Sequence, residues 1–198
     1  MRTLTVKSGG GGGSFTEGWH LVTIKSAEYG KFEDNQYIDI YFDEYPDTFN
    51  LRTYANHSKD NGEEFAIGRI FRFANAGICE VSKSDDGEAL VSIDDDPVHL
   101  TGKQVWVFLY PDGKYHRALN RVAPTEFSNQ LETFSEKDVE YWKSNAEDYY
   151  NKYVANKTAA ESQSWGETDT SVNGEVTEGS WKDIQSAVEE AQNDGIPG

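Results

Sequence analysis

Hydrophobic and polar positions alternate in short runs between residues 15 and 124, which is the pattern of half-buried β-strands. One segment, after the third run, has the spacing of a helix instead. The pattern therefore predicts three strands, one helix and two further strands. The predicted strands are Gly18–Tyr29, Gln36–Phe42, Phe49–Tyr54, Lys103–Tyr110 and Tyr115–Val122.

The second and third predicted strands each have an apolar and a polar face. Ile38, Ile40 and Phe42 fall on the apolar face of the second strand, which we expect to point into a core. The opposite face of the two strands carries three rings and one guanidinium group. These outward residues are Tyr37, Tyr41, Arg52 and Tyr54.

The predicted helix begins after Asp60 or Asn61, either of which is a suitable N-cap, and ends at Gly77. Glu63 and Glu64 place negative charge where the helix dipole favours it.

Three strands, a helix and two strands over roughly 110 residues are typical of the five-stranded oligonucleotide-binding (OB) barrel. Residues 80–99, with their aspartate clusters, are predicted to be a loop after the helix. We therefore predict a mainly β protein with an OB-like barrel, whose helix lies between strands 3 and 4. A β-sandwich is the alternative topology.

The chain after Pro124 has helical spacing and predicts a C-terminal helix. Ser135 and Asp138 have the spacing of a capping box, with Asp in place of the usual Glu or Gln. An apolar stripe follows, which we expect to dock on the barrel or to form an oligomer contact. Its residues are Val139, Trp142, Ala146, Tyr149 and Tyr153.

Both ends of the chain have low-complexity composition. Residues 1–14 contain five consecutive glycines and are predicted to form a flexible arm. Residues 161–198 are rich in Ser, Thr, Glu and Gly, which predicts a disordered acidic tail. The predicted organisation is thus the arm, a barrel at 15–124, a helical extension at 125–160 and the tail.

Charge is distributed unevenly along the chain. Residues 1–124 carry 13 basic and 19 acidic side chains, whereas residues 125–198 carry 5 and 16, within a net charge of −17. This acidity opposes nonspecific adsorption of nucleic acid over the whole surface. It permits a local cationic groove, because at about 0.15 M salt screening acts over roughly 8 Å.

The sequence contains no recognisable catalytic motif. The four histidines and Cys79 lack the spacing of metal ligands. Asp94-Asp95-Asp96 is the best candidate for magnesium, but three consecutive aspartates in a loop point in different directions. We expect a non-enzymatic protein without a cofactor. The single cysteine and the lack of a signal region or apolar span predict a cytoplasmic location.

Rings and cations occur together on the predicted elements that bind the ligand in OB barrels. Capture of a single strand without sequence preference requires cations for the phosphates and rings on which bases stack. Residues 100–124 alone have a net charge of +3 and contain several rings. A core position is the alternative for Trp106 and Phe108. The predicted DNA-binding residues are Lys25, Tyr29, Lys31, Phe32, Tyr37, Tyr41, Arg52, Tyr54, Lys103, Trp106, Lys114, Tyr115, Arg117 and Arg121.

Four segments resemble a family of tailed-phage proteins: residues 18–24, 37–42 and 65–73, and the Gly102-Lys103 pair. Proteins of this family are barrel proteins taken to bind single-stranded DNA during phage replication or recombination. The resemblance covers about residues 15–124. It implies that this chain protects single-stranded DNA in the cytoplasm of an infected host.

The tail is similar in logic to the acidic tips of bacterial single-stranded DNA-binding proteins, which recruit replication and repair enzymes. It ends in Ile196-Pro197-Gly198 rather than in the terminal Phe that those enzymes bind, so we expect a phage-encoded partner. Because a tethered polyanion competes with DNA, deletion of residues 161–198 is expected to tighten DNA binding and steepen its salt dependence. The predicted partner-binding residues are Trp181, Ile184, Val188 and Ile196.

Two other functions fit the sequence less well. One is a non-catalytic protein–protein adaptor that uses the same barrel and helices, with or without homo-oligomerisation. The other is a magnesium-dependent nuclease centred on Asp94-Asp95-Asp96.

Overall fold

The computed structural model describes residues 15–59, 62–83 and 89–155. The chain divides into two compact units, one that ends at Asp148 and one that begins at Tyr149. The second unit is described as far as Ala155 and contains a π-helical turn, Tyr150–Ala155.

The described residues contain nine strands, two α-helices and a 3-10 helix, Pro97–Leu100. The strands are β1 (Gly18–Phe32), β2 (Asn35–Phe42), β3 (Asn50–Tyr54), β4 (Ile78–Lys83), β5 (Ala89–Ile93), β6 (Gln104–Asp112), β7 (Tyr115–Ala118), β8 (Phe127–Ser128) and β9 (Thr133–Phe134). The α-helices are α1 (Ala66–Phe73) and α2 (Glu136–Tyr149).

Five of the strands form one antiparallel sheet in the order β3-β2-β1-β6-β7. The protein is therefore mainly β, with α1 after the third strand and α2 near the end of the described chain, as the sequence predicts. The predicted barrel is not closed, because β3 and β7 are the two ends of the sheet among the described residues. After Ala118 the chain continues beside β6. Trp106 and Ala123 exchange two backbone hydrogen bonds of 2.9 Å there.

The inward face of the sheet forms the hydrophobic core together with α1. Ile38 and Ile40 of β2 and Leu51 of β3 are almost completely buried, which confirms the predicted alternation. Phe71 and Phe73 of α1 are fully buried against the same cluster. The core therefore fixes which side chains of β2 and β3 must point outward.

Strand β1 pairs with a different neighbouring strand in each half of its length. Residues 18–23 pair with β6, and residues 24–32 pair with β2. The register shifts between Ile24 and Ser26, so a β-bulge interrupts the alternation at this point. Even-numbered residues face inward before the bulge and odd-numbered residues face inward after it.

The prediction of a loop over residues 80–99 is wrong. β4 and β5 form a hairpin in which Val81 pairs with Val91, and the 3-10 helix follows. The neighbouring aspartates suggested a loop, but the short apolar segment between them is a strand. The hairpin of β8 and β9 was also missed, because strands of two residues have no periodicity to detect.

Helix α1 is capped by a carboxylate that precedes it. Glu64 accepts hydrogen bonds from the backbone N–H groups of Ala66, Ile67 and Gly68 at 2.8–3.1 Å. These N–H groups have no acceptor within the helix. Glu64 therefore caps the helix, the function that was predicted for Asp60 or Asn61. Those two residues lie outside the described part of the chain.

The prediction that Gly77 ends this helix is also wrong. α1 ends at Phe73, and Asn75 then adopts a left-handed conformation with φ of 50°. Gly77 is required for a different reason, since a Cβ atom there would lie 2.1 Å from the carbonyl oxygen of Asp94.

Helix α2 begins with the predicted cap and docks on the core. The backbone N–H and hydroxyl of Ser135 donate to Asp138 Oδ2 at 2.8 and 2.6 Å. These bonds hold the pKa of Asp138 below its ordinary value. The Trp142 ring lies 4.9 Å from the Phe73 ring, and Ala146 is buried. The first part of the apolar stripe therefore packs within the first unit.

Several predictions fall outside the described residues. They concern the arm at 1–14, residues 84–88 of the predicted loop, and the tail at 161–198 with Trp181, Ile184, Val188 and Ile196. Among the residues that are described, no helix has the length and hydropathy needed to cross a membrane.

Candidate nucleic-acid interface

The outward side of β2 and β3 carries a stacked pair of side chains. The guanidinium carbon of Arg52 lies 3.9 Å from the centre of the Tyr37 ring. Asp39, on the same face, accepts two hydrogen bonds from Arg52, at 2.8 Å from Nε and 2.6 Å from Nη2. The hydrogen bond with Asp39 is the main reason that the pKa of Arg52 is raised. Arg52 is thus held along its edge by Asp39 and over one plane by the Tyr37 ring.

Two further residues complete this arrangement. Tyr54 pairs with Tyr37 across the strands, and their rings meet edge to face at 5.6 Å. Gly30 of β1 lies beneath the Tyr37 ring, where a Cβ atom would come within 2.2 Å of the ring. We call the set of Gly30, Tyr37, Asp39, Arg52 and Tyr54 the open face.

Tyr41 lies on the same side of β2, next to the open face. Its hydroxyl donates a hydrogen bond of 3.1 Å to Glu28. Partial burial and this carboxylate raise the pKa of Tyr41, so the phenol remains a neutral donor. Glu28 and Asp39 offset the charge of Arg52, and the neighbourhood is therefore rich in rings without being strongly cationic.

The bulge in β1 separates residues that the sequence grouped together. Tyr29 points to the inward side and donates a hydrogen bond of 3.0 Å to Asp95. Burial, followed by this hydrogen bond, raises the pKa of Tyr29. Lys31, two residues after Tyr29, lies on the same side of the strand as Tyr29. Phe32 lies on the outward side and is 52% exposed. An open cleft of about 570 Å³ lies at this end of the hairpin, lined by Tyr29, Gly30, Lys31, Asp34 and Gln36.

Four of the predicted cations have carboxylate partners. Besides Arg52, they are Lys25, Lys31 and Arg117. Lys25 Nζ lies 2.6 Å from Asp47, and the hydrogen bond between them raises the pKa of Lys25. Lys31 lies 3.7 Å from Asp34, and Arg117 pairs with Asp112. The two lysine pairs are largely exposed, so each contributes little to stability and is open to competition by phosphate groups, whereas the carboxylate partner of Arg52, Asp39, is buried.

The hairpin of β6 and β7 carries a second group of predicted residues. Gly113 and Lys114 form its two-residue turn, and Tyr115 directly after it is 73% exposed. Tyr110 and Arg117 are cross-strand partners on this hairpin. Lys103 lies apart from the turn, next to the start of β6, where its carbonyl oxygen accepts from the backbone N–H of Ile24.

Trp106 lies beneath helix α2 and away from the open face. Lys143 Nζ lies 3.2 Å from the centre of the Trp106 ring, and burial lowers the pKa of this lysine. Trp19, also on the outward side of the sheet, donates a hydrogen bond of 2.6 Å from its indole N–H to Glu147. We call Trp19, Trp106, Lys143 and Glu147 the covered face. Phe108, beside it, is buried at 8% exposure.

The aspartates at 94–96 each have a partner of their own. Asp94 lies 3.0 Å from His99 Nε2, which is the main reason that its pKa is lowered. Asp95 accepts from Tyr29, and Asp96 accepts from the backbone N–H of Val98 at the start of the 3-10 helix. Among the described residues, no group of three acidic, histidine or cysteine side chains could hold a metal ion.

Sequence reasoning missed several residues that shape these faces. Gly30 and Asp39 of the open face, and Trp19 and Lys143 of the covered face, were not predicted as functional. A glycine that pairs with a tyrosine on the adjacent strand, as Gly30 does with Tyr37, could have indicated the open face. This signal can be used only when the strand register is known. Burial lowers the pKa of Arg69, and the charges of Arg72 and of Arg121, which was predicted to bind DNA, add to this effect.

No model of a known protein family matches this chain, and no curated protein is similar to it in sequence.

Proposed function

We propose that this chain binds single-stranded DNA, largely without sequence specificity, and that the open face is the contact surface. The stacking of Arg52 on Tyr37 is the observation that carries the proposal. Exposed bases stack on aromatic rings and on guanidinium planes, and such stacking is independent of base identity.

The geometry of Arg52 favours stacking over a simple phosphate contact. Asp39 occupies the guanidinium edge with two hydrogen bonds, so the group is fixed in orientation before any ligand arrives. A fixed plane loses little conformational freedom on binding, which favours affinity. Tyr54, beside it, extends the ring surface along the next strand.

The fold supports the same proposal at a coarser level. We infer an OB-type architecture from the strand sequence, the helix after β3 and the β6–β7 hairpin, with the sheet open between β3 and β7. OB domains are partly open five-stranded barrels that bind oligonucleotides on the face of strands 2 and 3. The open face lies on these two strands. We further propose a role in phage DNA replication or recombination, which the resemblance given above implies, with partners recruited by the acidic tail and without catalysis.

The ion pairs define what kind of binding we expect. Since Lys25, Lys31, Arg52 and Arg117 have carboxylate partners, few counterions are released when DNA binds. For single strands the logarithm of affinity falls by about 0.7 per phosphate contact for each tenfold increase in salt. We therefore expect a shallow salt dependence, with a slope of about −1 to −2.

The test is fluorescence anisotropy of labelled oligo-dT with the full chain. Replacement of Tyr54 by alanine should weaken binding by about 5- to 150-fold, the equivalent of one stacked base. Tyr141→Ala is the matched control, because Tyr141 is 54% exposed on α2 and lies outside the open face. Equal affinities of the two variants would reject the open face as the contact surface.

A protein–protein adaptor is the second candidate, and the paired cations are the observation that favours it. A neutralised surface with rings suits a protein partner better than a polyanion. If the wild-type chain does not bind oligo-dT even at low salt, DNA binding is excluded and the adaptor becomes the better proposal.

A further inference from the structure

Glu28 is an exposed carboxylate on the outward side of β1, next to the open face. It lies two residues from Gly30, and its cross-strand partner on β2 is Asp39. Two carboxylates therefore occupy directly opposite positions on adjacent strands. Like charges in such positions destabilise a sheet, so the pair is not explained by a contribution to stability.

The two carboxylates differ in their hydrogen-bond partners. Asp39 is buried, and both of its oxygens accept hydrogen bonds from Arg52. Glu28 accepts one hydrogen bond of 3.1 Å, from the Tyr41 hydroxyl to Oε1. Within the described part of the chain, Glu28 has no cationic partner. Glu28 is therefore the carboxylate of this surface that can accept a further hydrogen bond from a ligand.

The charge of Glu28 selects which part of a nucleic acid can approach it. Phosphate groups are repelled by a carboxylate, so the backbone of a bound strand must pass elsewhere. Amino groups of bases are attracted, because a hydrogen bond from N–H to a carboxylate is about twice as strong as one between neutral groups. In a single strand the base edges that carry these amino groups are unpaired and accessible.

Glu28 is also placed within reach of a stacked base. Gly30, Tyr37 and Tyr54 form one row across β1, β2 and β3. Glu28 is offset from this row by two residues along β1, a step of about 6.8 Å in an antiparallel strand. A base that stacks on the rings of this row is therefore adjacent to the Glu28 carboxylate.

We propose that Glu28 is a specificity-determining residue, which accepts a hydrogen bond from the amino group of one base and disfavours thymine at that nucleotide. Cytosine and adenine carry amino donors, whereas thymine presents the carbonyl oxygen O4. A carbonyl oxygen and a carboxylate are both acceptors and repel each other. The preference rests on the DNA binding proposed above, and it concerns one nucleotide of a site whose stacking contacts accept any base.

The test compares oligo-dC with oligo-dU by fluorescence anisotropy of the full chain. Uracil represents thymine without its methyl group, so the two ligands share backbone and ring size and differ in the donors and acceptors of the base edge. We expect the wild type to bind oligo-dC about 5- to 10-fold more tightly, the lower range for discrimination by contacts to one base. Glu28→Gln should bind the two oligonucleotides within about twofold of each other, because an amide both donates and accepts.

Glu140→Gln is the matched control. It removes the same charge from an exposed position on α2, outside the open face, and should keep the preference of the wild type for oligo-dC. Urea unfolding of Glu28→Gln separates binding from folding. This variant should be at least as stable as the wild type, since the substitution removes one member of the like-charge pair with Asp39.

Two results overturn the role of Glu28 while DNA binding stands. The first is equal affinity of the wild type for oligo-dC and oligo-dU. The second is a preference for oligo-dC that Glu28→Gln retains in full. A wild type that binds neither oligonucleotide at low salt rejects DNA binding itself, and the role of Glu28 with it, so the two failures are distinguishable.

Discussion

The open face and the covered face have the same chemistry and different surroundings. In each, a cation lies over an aromatic ring on the outward side of one sheet, with Arg52 over Tyr37 in the first and Lys143 over Trp106 in the second. The covered face receives its cation from helix α2, so the pair is an internal contact between helix and sheet. The open face takes both partners from adjacent strands, and Arg52 remains exposed.

This difference teaches which rings are available to a ligand. A ring beneath a helix contributes to stability, whereas a ring next to a fixed and exposed guanidinium group can accept a base. The two faces should therefore respond to mutation in opposite ways.

The largest effect is expected at the covered face. Trp106→Ala removes the ring on which Lys143 and its helix rest, and it should lower the free energy of unfolding by about 3 kcal/mol. Urea unfolding followed by far-ultraviolet circular dichroism measures this loss. Oligo-dT affinity, determined where the variant is folded, should change less than about twofold. Val98→Ala, which alters an exposed side chain, is the control. If the two variants have the same free energy of unfolding, the covered face does not stabilise the fold.

The next effect is at Gly30. An alanine Cβ atom there would collide with the Tyr37 ring, which must rotate and lose its stack with Arg52. Affinity for oligo-dT should fall about tenfold, the lower range for loss of one stacked base. Gly68→Ala is the matched control, since its Cβ atom would meet its nearest neighbour at an ordinary 3.8 Å in a helix. A loss of affinity in both variants, or in neither, means that the ring geometry is not what matters.

A smaller change is expected from Asp39→Asn. The amide keeps the shape of the carboxylate but leaves the charge of Arg52 uncompensated. One additional phosphate contact should steepen the slope of log affinity against log salt by about 0.7. Anisotropy titrations at four salt concentrations measure the slope. An unchanged slope with unchanged affinity would show that Arg52 does not meet the DNA.

The smallest effect concerns the cap of helix α2, which lies over the covered face. Because the pKa of Asp138 is lowered in the folded chain, its contribution to stability is complete above its ordinary value of 3.8. The contribution is lost as the pH falls through the lower folded value. Asp138→Asn should thus be less stable than the wild type at neutral pH, and the difference should shrink as the pH falls below 3.8. Urea midpoints at neutral and at successively more acidic pH test this, and a difference that does not shrink in acid contradicts it.

The open face was largely predictable from the sequence, because strict alternation in β2 and β3 fixes which residues share a side. Tyr37, Arg52 and Tyr54 were grouped on this basis, and the register confirms their common face. The local pattern holds wherever a strand is regular and one side is buried.

Other parts could not be predicted from local patterns. A bulge near Lys25 inverts the alternation of β1 and sends Tyr29 inward to Asp95, and one sequence gives no signal for it. The surroundings of Trp106 depend on helix α2, which begins only at Glu136. Its spacing fits a strand equally well whether or not something covers the ring.

The open sheet also bears on self-association. Strands β3 and β7, which end the sheet, are five and four residues long and carry Arg52 and Arg117. Short edges with charged side chains discourage the addition of a strand from another molecule. The open sheet is in this way protected from edge-to-edge association at both of its described ends.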